Sequence, residues 1–353
     1  PHGAFPYTLL KEVNERRTIE DFEYELLDTG IFDEDRYFDV LVEYAKADQD
    51  DILIRVTLTN RGHEAVCCHV LPTVWFRNTW SWGYPSGPMG DVPEKPILRP
   101  AQAQGDQALV MAEHPRLGVF SLYGQGIPEL LFTENETNFE RLFKAPNDSS
   151  YVKDAFHRHV VNKEKGAVNP ALEGTKAAFW YRDEVPAGGE RTYRLRLTQS
   201  HLADPFQTFD DVFAQRVREA DDFYAGIQGP GMTGEEKMIH RQALAGMLWT
   251  KQFYYFNIEQ WLEGDPSQPP PPQSRHHGRN HEWLHLNNFD IISMPDTWEY
   301  PWYAGWDLAF HCIPFALVDT DFAKRQLELM AREWYMHPNG QLPAYEWSFG
   351  DVN

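Results

Sequence analysis

The amino-acid sequence predicts a β + α multidomain protein: a large antiparallel β-sandwich, a helical linker, then an all-α region. Three observations predict it. Up to about residue 203, apolar residues recur with a period of two in runs separated by turn residues. From residue 204 the period lengthens to that of a helix. Gly229-Pro230-Gly231 then breaks one helical stretch from the next. The expected boundaries are 1–203 for the β domain, 204–232 for the linker and 233–353 for the helical domain.

Taken in order, "YFDVLVEY" (37–44) alternates with Phe38, Val40, Val42 and Tyr44 on one side. "DILIRVTLT" (51–59) does the same through Ile52, Ile54, Val56 and Leu58, and the polar run between them reads as a hairpin connection. Asn60-Arg61-Gly62 closes the second strand as a turn. "LGVFSLY" (117–123) and "RTYRLRLT" (191–198) follow the same period, the latter entered through Pro186-Ala187-Gly188-Gly189. Many strands with turn punctuation are what two packed sheets require. In 204–227, Phe209, Val212, Phe213 and Val217 fall at helical spacing. Thr233 with Glu236 makes a capping box, predicting a helix of about six turns through "KQFYYF". Residues 265–280 hold too much proline for helix or central strand. Helices over 306–318 and 321–335 complete the region, the last stopped by His337-Pro338-Asn339-Gly340.

Composition excludes several functions. The chain has 353 residues, 42% hydrophobic and 24% charged, with no apolar run of the ~20 residues a bilayer demands. Fifty-three acidic against 32 basic residues give a net charge of −21, which repels phosphate backbones, so no nucleic-acid partner and no membrane are expected. The cysteines are Cys67, Cys68 and Cys312, with no C-x-x-C, so neither a disulfide framework nor a cysteine metal site is expected. No signal peptide opens the sequence, and a reducing, cytoplasmic setting fits best. The sequons at Asn135 and Asn147 are then chance matches.

"HEWLH" (281–285) matches the zinc-peptidase pattern H-E-x-x-H. That pattern works only inside a continuous helix, which sets both imidazoles on one face. Here a proline-rich run precedes it and "LNNFD" follows. A third ligand at the extended spacing falls on Ile291, which binds no metal. A zinc hydrolase is therefore the weakest of the readings, and no metal or other cofactor is expected.

The chemistry is concentrated downstream. In "MPDTWEYPWYAGWDLAFH" (294–311), Trp298, Tyr300, Trp302, Tyr303 and Trp306 lie among Asp296, Glu299 and Asp307, with Pro295, Pro301 and Gly305 interrupting regular structure. Flat rings stack on the apolar faces of pyranoses, while carboxylates bridge hydroxyls or move protons. Asp307 stands where loop becomes helix, rigidly placed beside the aromatics. Tyr345, Glu346 and Trp347 repeat the mixture in a second loop. The plainer alternatives are that Asp307 is only a helix cap, the aromatics a packed plug, and Glu346 a loop salt-bridge partner.

The run from Ser293 to Asn353, with "WDLAFH" (306–311) its most specific part, resembles the bacterial branch of glycoside hydrolase family 63. Relatives of that branch include mannosyl-oligosaccharide glucosidases and, more distantly, mannosylglycerate hydrolases and trehalases. "YELLDTGIFDEDRYFDVLVEYAKAD" (24–48) and "LPTVWFRNTWSWG" (71–83) resemble its β domain, so the resemblance spans most of the chain. It implies a β-super-sandwich followed by the first helices of an (α/α)6 barrel. It also implies inverting hydrolysis of α-glucosidic or α-mannosidic bonds in oligosaccharides or small glycosides by two carboxyl groups. By its place in the motif, Asp307 matches the general acid. To act, it would hold its proton near neutrality, which burial among Trp302, Trp306 and Phe310 would supply. Trp302, Tyr303, Trp306, Tyr345, Glu346 and Trp347 match substrate-contacting positions. Twelve barrel helices are required and 233–353 supplies three or four. The resemblance thus places the remaining helices, the general base and the start of the β domain outside these residues. The segment alone is expected to be inactive. A non-catalytic carbohydrate-binding relative is the alternative from another class.

Overall fold

In a computed structural model of the chain, residues 1–85, 94–332 and 335–351 are described. The chain divides into two units, Pro1–Asn78 with Glu94–Val217, and Thr79–Pro93 with Arg218–Asn353.

The first unit is built from two antiparallel sheets. The alternating runs become β1 (Phe38–Asp48) and β2 (Asp51–Asn60), a hairpin registered with Val42 opposite Val56. β3 (Val66–Val70), β4 (Thr73–Trp75), β5 (Ile97–Ala101), β6 (Gln107–His114), β7 (Gly118–Gln125), β8 (Glu129–Thr133), β9 (Lys176–Val185) and β10 (Glu190–Thr198) follow. One sheet has the order β1-β2-β10-β7-β6-β5; in the other, β9 pairs with β3, β4 and β8. Val56, Leu58, Leu122 and Leu195 from the first sheet meet Phe132, Phe179 and Val185 from the second in a shared core. The short helices α1 (Tyr7–Asn14), α2 (Phe139–Phe143) and α3 (Ala155–Val160) decorate this unit.

The other face of β2 carries Leu53, which packs with Ala45 against Phe209 and Phe213 at the start of α4 (Phe209–Ile227). The near-buried Arg196 of β10 grips Asp51 of β2 through Nε, at 2.8 Å, and Nη2, and also donates to the carbonyl of Pro205 at 2.9 Å. Edge strand β1 departs from expectation. Beyond Phe38, which packs on the core, its apolar side is open, with Val40 58% and Tyr44 59% exposed. Alternation specifies a strand, but burial requires a second layer opposite it.

In the second unit, α5 (Gly234–Trp249) begins with the predicted capping box. Thr233 Oγ1 accepts from the Glu236 N–H at 3.2 Å, and the Glu236 carboxylate accepts from the Thr233 N–H at 2.7 Å. The helix stops two turns early. "KQFYYFN" is a strand, β11 (Lys251–Asn257), paired antiparallel to β12 (Asn287–Ser293) across a loop containing α6 (Ile258–Glu263). The region is therefore not all-α. Consecutive aromatics favour a pleated strand, and a partner thirty residues away decides the outcome. α7 (Gly305–Val318) and α8 (Thr320–Met330) close the unit. α8 ends five residues before its predicted end, and of the expected extension residues 333–334 lie outside those described.

The second core gathers Tyr254, Ile258, Trp283, Ile292, Tyr303, Leu308, Phe315, Tyr335 and Phe349. Each fully buried ring of this kind stabilises by roughly 1.5–3 kcal/mol, so packing rather than helix propensity holds these short elements. The opposite face of α7 is unpartnered among the described residues: Trp306, Phe310, Ile313 and Leu317, at helical spacing, are all exposed. No helix among the described residues is long and apolar enough to cross a membrane.

Candidate active site

The fold brings the two aromatic–carboxylate loops together. Ala304 forms an isolated antiparallel bridge with Tyr345. The Gly305 N–H donates to the carbonyl of Ala344 at 2.6 Å, and the Glu346 N–H donates to that of Tyr303 at 3.0 Å. Glycine is required at 305, because a Cβ there would lie 2.5 Å from the carbonyl oxygen of Pro343. Asn280, at φ 62, staples the second loop from behind. Its side-chain amide donates to the Glu346 carbonyl at 2.7 Å and accepts from the Phe349 N–H at 2.8 Å. Nothing in the proline-rich run singled out Asn280 except that asparagine tolerates the left-handed backbone.

Asp307 is the third residue of α7, half-buried in the first turn. The cap position belongs to Ala304, so Asp307 is not the N-cap. The positive end of the helix dipole favours a carboxylate in this turn. The apolar envelope expected around it does not form. Trp306 is 55% and Phe310 64% exposed, and both open to solvent. One turn along α7, His311 Nδ1 lies 2.6 Å from Ser293 Oγ. Burial pushes this imidazole below its usual range, and the charge of Asp307 opposes that shift.

Trp302 stands edge-on to Trp347, with ring centres 6.1 Å apart, and edge-on to Tyr300 at 4.8 Å. Tyr300, Trp302 and Trp347 thus form a partly exposed aromatic cluster, while Trp306, next to Asp307 in the chain, stands edge-on to Phe310 at 6.1 Å. Tyr303, expected to contact substrate, is instead 0% exposed, packed between Tyr254, Tyr335 and Phe349. From a loop that enters a helix, neighbouring aromatics point opposite ways, and the sequence does not say which. Burial pushes the Tyr303 hydroxyl well above the phenol range, and it has no hydrogen-bond partner among the described residues. A buried orphan hydroxyl costs about 1–3 kcal/mol. Tyr303→Phe is therefore expected to raise unfolding stability by about 1 kcal/mol in urea titration. A loss of stability would show that the hydroxyl has a partner.

Glu346 accepts a hydrogen bond from the Tyr254 hydroxyl at 2.5 Å rather than joining a loop ion pair. Burial first, and then the Glu346 charge, drive that phenol far above its usual range. The sequence predicts helix at Tyr254, and helical spacing gives no sign of this contact. Beside it, the Arg279 guanidinium covers the Trp347 ring at 4.4 Å. Tyr345 is half-buried, its hydroxyl donating to Asp351 at 2.8 Å. Asp296 is a turn-former: its Oδ1 accepts from the N–H groups of Trp298 and Glu299, both at 2.6 Å, which holds its carboxyl below the usual range.

"HEWLH" forms two successive turns rather than a helix. His281 is held by Gly278 O, 2.7 Å from its Nδ1, while His285 turns inward beside Trp283 and His337. The two imidazoles thus share no helix face. Trp283 anchors the second loop by packing on Phe349.

No family model matches the chain. It is similar to an uncharacterised protein of Saccharomyces cerevisiae, YMR196W, 40% identical over 394 residues that cover 99% of this chain and 36% of the yeast protein. The chain thus spans about a third of that relative's length (36%). Similar solved structures include a polysaccharide lyase, 13% identical with a TM-score of 0.27 over 50% of this chain and 22% of that one. A putative kojibiose phosphorylase from the human microbiome is 7% identical with a TM-score of 0.25, over 64% of this chain and 24% of that one. Both names are those of enzymes acting on carbohydrates. TM-scores this low carry no argument about fold or chemistry.

Proposed function

We propose that these residues form part of an inverting α-glycoside hydrolase of the family 63 type, with Asp307 as its general acid. The observation that carries the reading is the docking of residues 344–349 onto the first turn of α7. It sets Trp347 against Trp302 and fixes Glu346 on the loop next to the helix that bears Asp307. Aromatic faces and carboxylates held on rigid backbone are what pyranose binding and proton transfer need. Asp307 gives its proton to the glycosidic oxygen as the bond breaks. Water attacks from the opposite face, activated by a base about 6.5–9.5 Å away. That base lies outside these residues. Trp302, Trp306, Tyr345, Glu346 and Trp347 form the substrate wall, and Tyr303 supports it from inside.

The apolar stripe of α7 supports further helices packing on it, as an (α/α)6 barrel after a β-super-sandwich would provide. The segment alone is then inactive. The reading requires no cofactor, and three free cysteines suit a reducing, cytoplasmic setting. The test is incubation of the full-length protein with α-linked gluco- and manno-configured di- and oligosaccharides and small glycosides. Released monosaccharide supports the reading. Saturable sugar binding without release would favour a non-catalytic carbohydrate-binding protein.

A further inference from the structure

We propose that Arg279 is a positioning residue for a sugar platform. Held between Trp261 and Trp347, its guanidinium covers part of the Trp347 ring and sets the exposed remainder to stack on the apolar face of a pyranose. The inference rests on the reading of these loops as a carbohydrate site, and it holds for a hydrolase and for a binding protein alike. The guanidinium carbon of Arg279 lies 4.4 Å from the ring centre of Trp347 and 5.2 Å from that of Trp261. Both distances are within the reach of a cation–π attraction. The guanidinium makes no hydrogen bond or ion pair among the described residues, although acidic residues outnumber basic ones by 53 to 32. The two indoles are what hold this side chain.

The support beneath it is continuous. Arg275, four residues earlier, donates through Nη1 to the Trp261 carbonyl at 3.0 Å and lies 5.0 Å from the same ring centre. Trp261, half-buried on α6, packs on Phe256 at 6.3 Å, and Phe256 meets the buried Phe349 at 6.2 Å. Ring contacts therefore run from the core through Trp261 to Arg279 and out to Trp347. The backbone on either side of Arg279 is fixed as well. The Gly278 N–H donates to the Arg275 carbonyl at 3.2 Å, and Asn280 is tied to Glu346 and Phe349. Trp347 needs such a support. Its other ring contact among the described residues is with Trp302, and 51% of its surface is exposed. An exposed indole must give up rotamer freedom when a ligand stacks on it, and a neighbour that holds it beforehand lowers that cost. A guanidinium suits the place, because an aromatic face attracts it while its N–H edge stays available to water.

The test uses the full-length protein with Arg279→Gln, which removes the charge, and Arg279→Lys, which keeps a cation. In Arg279→Gln, KM for an α-linked oligosaccharide, or Kd where the sugar is bound without release, is expected to rise about two- to fivefold, the worth of one exposed cation–π contact. The value of kcat should stay unchanged, and Arg279→Lys should fall between Arg279→Gln and the wild type. With fluorinated tryptophan incorporated, the 19F resonance that disappears in Trp347→Phe reports this ring, and it should be displaced in Arg279→Gln. A wild-type KM in Arg279→Gln, a fall in kcat alone, or an unmoved Trp347 resonance overturns the proposal while leaving the carbohydrate site standing. A wild type that neither binds nor releases any sugar overturns the reading of the loops, and this proposal with it.

Discussion

Asp307→Asn in the full-length protein is expected to lower kcat on an unactivated α-glycoside by about 10²–10⁴-fold while leaving KM nearly unchanged. The amide keeps the shape and hydrogen bonding of the carboxyl but has no proton to give. Only the transition state, where charge builds on the leaving oxygen, loses an interaction. A leaving group that departs without protonation, such as a nitrophenolate, should recover most of the rate. Steady-state kinetics on paired substrates measures both effects. Full activity of the variant on the unactivated glycoside would remove Asp307 from the chemistry and return the aromatic cluster to a binding or packing role.

Gly305→Ala carries the second large effect, and local propensity argues against it. At an early helical position, alanine should stabilise by up to about 1 kcal/mol. The new methyl would stand 2.5 Å from the Pro343 carbonyl oxygen, closer than van der Waals contact allows. That oxygen belongs to backbone held by the Gly305 and Glu346 hydrogen bonds, so it yields only if the loop undocks. Overpacking of this kind costs about 1–3 kcal/mol, which outweighs the propensity gain. The variant should melt earlier, and in the full-length protein it should lose activity together with the Trp347–Trp302 contact. Urea titration followed by tryptophan emission reads the outcome. A neutral or stabilised variant would show that the two loops do not depend on this contact.

Much of the first unit was legible, because an antiparallel strand buried on one face records that face in every second residue. Ile54, Val56 and Leu58 marked β2, and the capping box at Thr233 and Glu236 marked the start of α5. The failures are non-local. β11 resembles a continuation of α5 because Phe253, Tyr254, Tyr255 and Phe256 follow one another and show no period of two. β12 was missed because Asn287, Asn288 and Asp290 interrupt its apolar side. β1 shows the converse, with a clear alternation whose apolar side is covered at Phe38 but exposed at Val40, Val42 and Tyr44.

The site divides along the same line. The position of Asp307 in the first turn of a helix and of Glu346 in a loop was legible from residue type and punctuation. The direction of Tyr303 was not, since one residue along a loop separates a ring in the exposed cluster from a ring in the core. Tyr254 and Asn280 hold the Glu346 loop from 92 and 66 residues away, and no local pattern marks them.

The central claim is hydrolysis with inversion by a carboxyl pair to which Asp307 contributes the acid. The most direct test is the proton NMR spectrum of the first sugar released from an α-glycoside by the full-length protein, recorded before mutarotation. The β-anomer must appear first, its signal later relaxing towards the equilibrium mixture. Initial release of the α-anomer would contradict the account, because it requires a covalent intermediate and carboxyl groups only about 5–5.5 Å apart.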